Sequence, residues 1–315
     1  MNSQHVIAHL LILMLVHVIE GFSPVLSIQN RLRATTRTST STFCGATSSD
    51  DDSSMALLQK RIHQVTRSES TLPLVVLDAM LPRQRLIVKV NHDLLIMSLM
   101  RGLVKSRLKE ETPYFGMLGM TRSETLEPIH LSTGVQVEIV GKPQETDGGL
   151  ILELKAGKRF RIEQDTVERT EKGWVQAQVI YIDSNKEDKQ EKDMESMARA
   201  RQMAKEFTDP NVSLNENKSL KDKWIELARE KEQTPGQIDQ LLKDLGPIPS
   251  WEEPSECALW IGALINPIPA MGVALEIRPE LLMAKSAEER TQIALNGIWN
   301  SIHHMQGPRI VKMKK

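Results

Sequence analysis

Apolar and polar residues alternate most cleanly between Gly134 and Gly141, where Val135, Val137 and Ile139 fall on one side and Gln136 and Glu138 on the other. Successive side chains of a strand point to opposite faces, so this pattern predicts a strand with one buried face. Similar runs surround it. Residues 72–77 read as a buried strand, Leu86, Val88 and Val90 alternate with Ile87 and Lys89, and residues 114–120 make another short strand. Residues 174–183 place Val175, Ala177, Val179 and Tyr181 on one face. Asp147-Gly148-Gly149 supplies the positive φ of a hairpin turn into Leu150, Leu152 and Leu154, and a second turn is expected around Gly157, leading to Phe160 and Ile162. One helix interrupts the set, residues 91 to about 108, capped by Asn91 and carrying Leu95, Leu99 and Leu103 at four-residue spacing. About six antiparallel strands with one helix predict a small closed or nearly closed barrel, which hides its sheet edges.

After Asp183 the period changes to that of helices. Residues 185–207 form a highly charged candidate with a thin apolar stripe of Met197, Ala200, Ala204 and Phe207. A second helix starts near Ser219, with Trp224, Leu227 and Ala228 on one side. In the third, Thr234 is the expected cap, Pro235 fits the first turn, Gln237 completes a capping box, Ile238, Leu241, Leu242 and Leu245 form the stripe, and Gly246 ends it. An apolar helix over residues 255–265 follows. Ser286 and Glu289 then form a capping box for a last helix with Ala294, Leu295, Ile298, Ile302 and Met305 as its stripe. The fold class is therefore α+β: an antiparallel β-barrel over residues 71–184, then a helical bundle over residues 185–306, with a basic tail at 307–315.

Between the last two helices lies INPIPAMGVALEIRPELL, residues 265–282, nearly free of charge. Pro267 and Pro269 interrupt any helix before the roughly 20 apolar residues that cross a bilayer, so it is not a membrane span. Three prolines restrict the backbone, and Val273, Leu275 and Ile277 alternate with Ala274, Glu276 and Arg278, which predicts a rigid extended connector laid against the rest of the fold. Glu276 and Arg278 share a face and read either as an internal ion pair or as groups that hydrogen-bond a partner. Together with Trp251, Trp260 and Met271 they make up the candidate partner surface.

Composition narrows the function classes. Of 315 residues, 40% are hydrophobic and 26% charged, the range of a folded globular protein. Lys and Arg number 40 against 41 acids, a balance that disfavours nucleic acid as a partner because no general positive field is present. Only Cys44 and Cys257 occur, so no disulfide is expected, and Cys257 reads as an inert small hydrophobe. His303 and His304 are adjacent and diverge on a helix, unlike a metal-binding pair four apart. No cofactor or metal is expected. At the front, residues 6–19 form an apolar run of signal-peptide length. From Gly21 to Ser49 acids are absent while Arg31, Arg33 and Arg37 sit among many Ser and Thr, the composition of a transit peptide. The junction EGFSPVL resembles the bipartite presequences of algae with secondary plastids, which places a cut before Phe22 and implies a plastid destination; secretion is the alternative. Residues 50–70 form a lead-in, and the mature chain carries no transmembrane segment.

LPLVVLDAMLP, YFGMLGM, GVQVEIVG, DGGLILELKAGKRFRIE and GWVQAQVIYIDS resemble, in order and spacing, the amino-terminal substrate-binding domain of Lon proteases, a PUA-like barrel. ALWIGALINPIPAMGVALEIRPELLMAKSAEERTQIAL is similar to the helical part of stand-alone proteins with that domain. The likeness covers roughly residues 70–305. Asn91-His92 departs from the family's usual aromatic and acid, and residues 185–251 have no counterpart pattern. The resemblance implies polypeptide binding. A Lon protease also needs an ATPase and a Ser-Lys proteolytic site. Ala156-Gly157-Lys158-Arg159 has Arg where a phosphate-binding loop needs Ser or Thr, and it is not a nucleotide site. Lys218-Ser219 and Lys285-Ser286 read as helix caps, and Lys105-Ser106 is the remaining pair. The expectation is a non-enzymatic adaptor or chaperone-like protein whose partner is a polypeptide substrate, a protease or a chaperone. An ATP-independent peptidase and an RNA-binding module are the alternatives.

Overall fold

A computed structural model describes residues 71–91, 94–107, 114–122, 128–182, 184, 187–188, 193–210 and 218–307. The presequence, the lead-in and the basic tail after Gly307 lie outside the described residues, as do Cys44, His92 and Asn211 and Asn217, the asparagines of two Asn-X-Ser sequons. All described residues belong to one compact unit, residues 55–315.

Seven strands form one sheet: β1 (Thr71–Val76), β2 (Arg85–Asn91), β3 (Tyr114–Arg122), β4 (Pro128–Thr146), β5 (Gly149–Ile162), β6 (Glu168–Arg169) and β7 (Val175–Ile182). Their order is β2-β5-β4-β3-β1-β7-β6, and β5 also pairs with β7. The pairings β5-β4-β3-β1-β7-β5 thus return to their starting strand. Alternation does what the pattern predicts. Val135, Val137 and Ile139 are fully buried, Ala177 and Val179 are inside, and Ile87 and Ile180 face out. Gly148, at φ 78, provides the left-handed turn between β4 and β5.

Three strand-level expectations are corrected. There is no turn at Gly157, because β5 runs unbroken from Gly149 to Ile162. Val135 pairs with Arg159 and Val137 with Ala156, so β5 carries an extra residue there, a bulge. At this bulge β5 changes partner, from β2 (through Lys155) to β7 (from Arg159). Second, β1 and β3 pair parallel, not antiparallel. The chain between them holds β2 and the first helix, enough for the crossover a parallel pair requires. Third, Asn91 is the last residue of β2, paired with Gly149, and is not a helix cap. The helix α1 is Leu94–Arg107, and its inward residues are Met97, Leu99 and Met100, with Leu95 42% exposed.

Six helices follow: α2 (Met194–Thr208), α3 (Leu220–Arg229), α4 (Gln237–Leu245), α5 (Pro254–Ile265), α6 (Arg278–Met283) and α7 (Ala287–Gln306). Asp193 caps α2 by accepting from the backbone of Glu195 and Ser196, and the expected stripe of Met197, Ala200, Ala204 and Phe207 is buried. Ser219 and Ser286 cap α3 and α7 through the backbone N–H groups of Asp222 and Glu289. Thr234 does not cap α4. Gly236 occupies the cap position, and the Glu232 carboxylate accepts from the backbone of Gly236 and Ile238 instead. A carboxylate with two oxygens satisfies two orphan N–H groups, where a hydroxyl serves one.

One apolar core runs through both regions, from Val135, Leu152 and Met117 on strands to Trp224, Ile261 and Ile298 on helices. A second cluster joins Leu72, Leu118, Phe160, Ile162, Ala177 and Val179, contributed by four strands of the circuit. Gly134 is required beside it, since a Cβ there would lie inside contact distance of the Met117 carbonyl oxygen and of Leu118.

Candidate functional site

The connector between α5 and α6 contains a cis Ile268–Pro269 bond and is not an extended strip. Val273 and Ile277 are buried, but Leu275 is 76% exposed and Arg278 is 4% exposed, so the alternation fails at both positions. The cause is hydrogen bonding. Asn266 donates to the Leu275 carbonyl and accepts from the Ile277 backbone, folding the segment back on its own start. Buried Gln84, just before β2, donates to the carbonyls of Ala263 and Asn266 and accepts from the Leu81 backbone. One amide thereby ties the strand region to the end of α5.

Arg278 opens α6. Its Nε and Nη2 reach both oxygens of Glu276, and Nη2 also reaches Asp78, 3.0 Å away at the end of β1. Burial alone would lower the Arg278 pKa, but the hydrogen bonds and charges of Glu276 and Asp78 outweigh it and hold the pKa above the ordinary value. The Glu276–Arg278 pair is therefore an internal ion pair extended to a third partner. Trp260 is 3% exposed and donates to the Gly246 carbonyl at 3.1 Å, and Met271 is 7% exposed. Burial turns these two, with Arg278, into the core. Trp251 is half-buried with Lys205 over its ring at 4.2 Å, and Glu276 is the most exposed of the five candidates.

The residues that sequence reasoning missed form a separate network. Arg159, swung inward at the β5 bulge, donates through Nη2 to Ser184 at 2.7 Å and to Glu187 at 2.8 Å. Arg290, on α7, donates to the Ser255 hydroxyl and to the carbonyls of Leu281 and Ala284, and lies 3.8 Å from Glu187. Ser255, the second residue of α5, donates to Asp188 through its hydroxyl and its backbone. Strand, connector and two helices meet in this network. Burial, and then the charge of Arg159, push the Arg290 guanidinium down to about 10, while burial raises the Asp188 carboxyl. A signal for Arg290 existed: it heads the face of Ala294, Ile298 and Ile302 at four-residue spacing, a charge in line with an apolar stripe.

Above the network lies a small cleft of about 90 Å³, bounded by Thr133 on β4, Arg159 and Arg161 on β5, Ile182 on β7, residues 282–285 after the start of α6, Glu187 and Arg290. None of the five candidates borders it. Arg161 and Lys285 are exposed at its mouth and have no ion-pair partner among the described residues.

The groups considered for catalysis have other duties. The hydroxyls of Ser219 and Ser286 serve as caps. The side chain of Ser106 lies outside the described residues. Cys257 is fully buried, and burial raises its thiol to about 12, which removes the thiolate a nucleophile needs. His303 and His304 are exposed near the end of α7, His303 edge-on to Trp299. Among the described residues no three His, Cys, Asp or Glu side chains are grouped to hold a metal ion, and no helix is long and apolar enough to cross a membrane.

The family model of the ATP-dependent protease La (LON) substrate-binding domain matches residues 71–296, more than half of the chain. The chain belongs to this family. The matched span of the LON substrate-binding domain begins at β1 and ends within α7, taking in the strand circuit, the cleft and the seam where strands meet helices. Among solved structures, the Lon N-terminal domain protein from Xanthomonas campestris is similar at 17% identity, over 55% of this chain and 97% of that one, with a TM-score of 0.28. The N-terminal domain of Mycobacterium avium complex Lon protease is similar at 13% identity, over 73% and 98%, with a TM-score of 0.40. No curated protein matches the chain.

Proposed function

We propose that the chain is a non-catalytic polypeptide-binding protein, acting as an adaptor for a protease or as a chaperone-like module in plastid protein quality control. The observation that carries this reading is the family match over residues 71–296, whose own description is substrate binding. In this reading the closed pairing circuit is the PUA-like barrel, the helices behind it are a bundle, and the seam between them holds the polypeptide. The Ala156–Arg159 string supports a role without nucleotide: it runs as strand, and Arg159 is engaged with Ser184 and Glu187 where a phosphate loop would place a magnesium-binding hydroxyl. Trp251 and Glu276, which keep exposed area, are the reachable part of the surface expected from sequence.

The test is to titrate the purified chain with unfolded α-casein while following casein fragmentation and ATP turnover. Saturable binding with intact casein and no turnover is the expected result. Fragments, turnover or no binding would contradict it. Residues 1–49 fused to a fluorescent reporter should enter the plastid of an alga with secondary plastids; export to the medium would favour secretion.

A further inference from the structure

The cleft at the seam is unevenly charged. Arg159, Arg161, Lys285 and Arg290 border it, and among the described residues Glu187 is the one carboxylate that does. Glu187 already serves two of the cations, at 2.8 Å and 3.8 Å. Arg159 is 2% exposed, yet its Nε has no hydrogen-bond partner among the described residues. A buried guanidinium with an idle donor carries a desolvation penalty that a second anion offsets. Two side chains with apolar area stand beside the cations. Met283 is 43% exposed, Ile182 is half-buried, and Ser132 holds the Met283 sulfur at 3.9 Å. Methionine is adaptable and accommodates apolar groups of varied shape. A volume of about 90 Å³ has room for a carboxylate and a small apolar side chain, not for folded structure.

From these cations with Met283 and Ile182 beside them, we infer that the cleft captures the carboxyl terminus of a polypeptide whose last residue is apolar. The terminal carboxylate sits between Arg161 and Lys285 at the mouth and the Arg159 guanidinium beneath, where charge-assisted hydrogen bonds are strongest. The last side chain packs on Met283 and Ile182. This assignment rests on the polypeptide-binding reading above and adds which part of the polypeptide is held.

Three labelled peptides test it by fluorescence anisotropy with the full chain: one ending in a free Leu carboxylate, the same sequence ending in Leu amide, and the amide with one internal residue replaced by Asp. Unfolded α-casein is titrated in parallel. The free acid should bind at least about tenfold more tightly than either amide, the discrimination that losing a charged hydrogen-bond partner produces. Arg161→Gln and Lys285→Gln, both exposed and outside the buried network, should each weaken the free acid severalfold and leave the melting temperature unchanged. Equal affinity for acid and amide overturns the inference, as does equal binding of the internal-Asp peptide. Casein binding without binding of any peptide overturns the inference and leaves the polypeptide-binding reading standing. Failure of casein as well removes both.

Discussion

In the strand region Val135, Val137, Ile139, Leu152, Leu154 and Phe160 are fully buried, and backbone pairing runs around a closed circuit. The helical region has an apolar core too, but it buries two arginines, Arg278 and Arg290, compared with Arg159 of the strands, and all three hold residues from other parts of the chain. The contrast shows where each region gets its definition. Strands are set by ladders and side-chain alternation, which act over a few residues. The helices are positioned against the strands by directional polar groups, Gln84, Arg278 and the Arg159–Glu187–Arg290 network, which apolar packing alone would leave free to slide. A buried charge held this way is weak as a source of stability and strong as a locator, because a misplaced partner leaves it unpaired. The same device leaves positive charge at the seam.

Four substitutions sharpen or break the contrast, in falling order of effect. Phe160→Ala empties a site packed against Gly116 and Gly134 and should lower the unfolding free energy by about 3–5 kcal/mol in urea titration, with strand amides losing hydrogen-exchange protection first. Arg290→Ala leaves Glu187 and Asp188 short of their cation and should also cost about 3–5 kcal/mol at most, but the lost protection should map to α5, α6 and α7. If both variants lose protection in the same elements, the two regions are not held differently. Gln84→Leu strands the carbonyls of Ala263 and Asn266 and should cost about 1–3 kcal/mol, read as a lower urea midpoint with an unchanged slope. Ser286→Ala removes one cap and should cost about 1 kcal/mol, seen as faster exchange in the first turn of α7 alone.

The same contrast explains what the sequence made legible. Alternation located β2, β4 and β7, and the stripe and capping box located α7, because these signals are local and strong. Gly157 was misleading: a glycine in a strand reads as a turn when it is a bulge, and the difference lies in the register with β4. Thr234 was misleading because Glu232, two residues earlier, supplies a better acceptor. The parallel β1–β3 pair depends on a long crossover and leaves no local trace. The candidate surface suffered most. Trp251, Trp260 and Met271 were candidates because they could face the barrel from the helical part, and two of them are core. The cleft draws on residues from Thr133 to Arg290, brought together only by the fold.

The most direct test of the central claim is hydrogen exchange of the full chain with and without saturating unfolded α-casein. The account predicts slower exchange at the seam, in the last residues of β5, in β7 and in α6. Casein binding that leaves these segments unchanged, or protects only surfaces away from them, would contradict it.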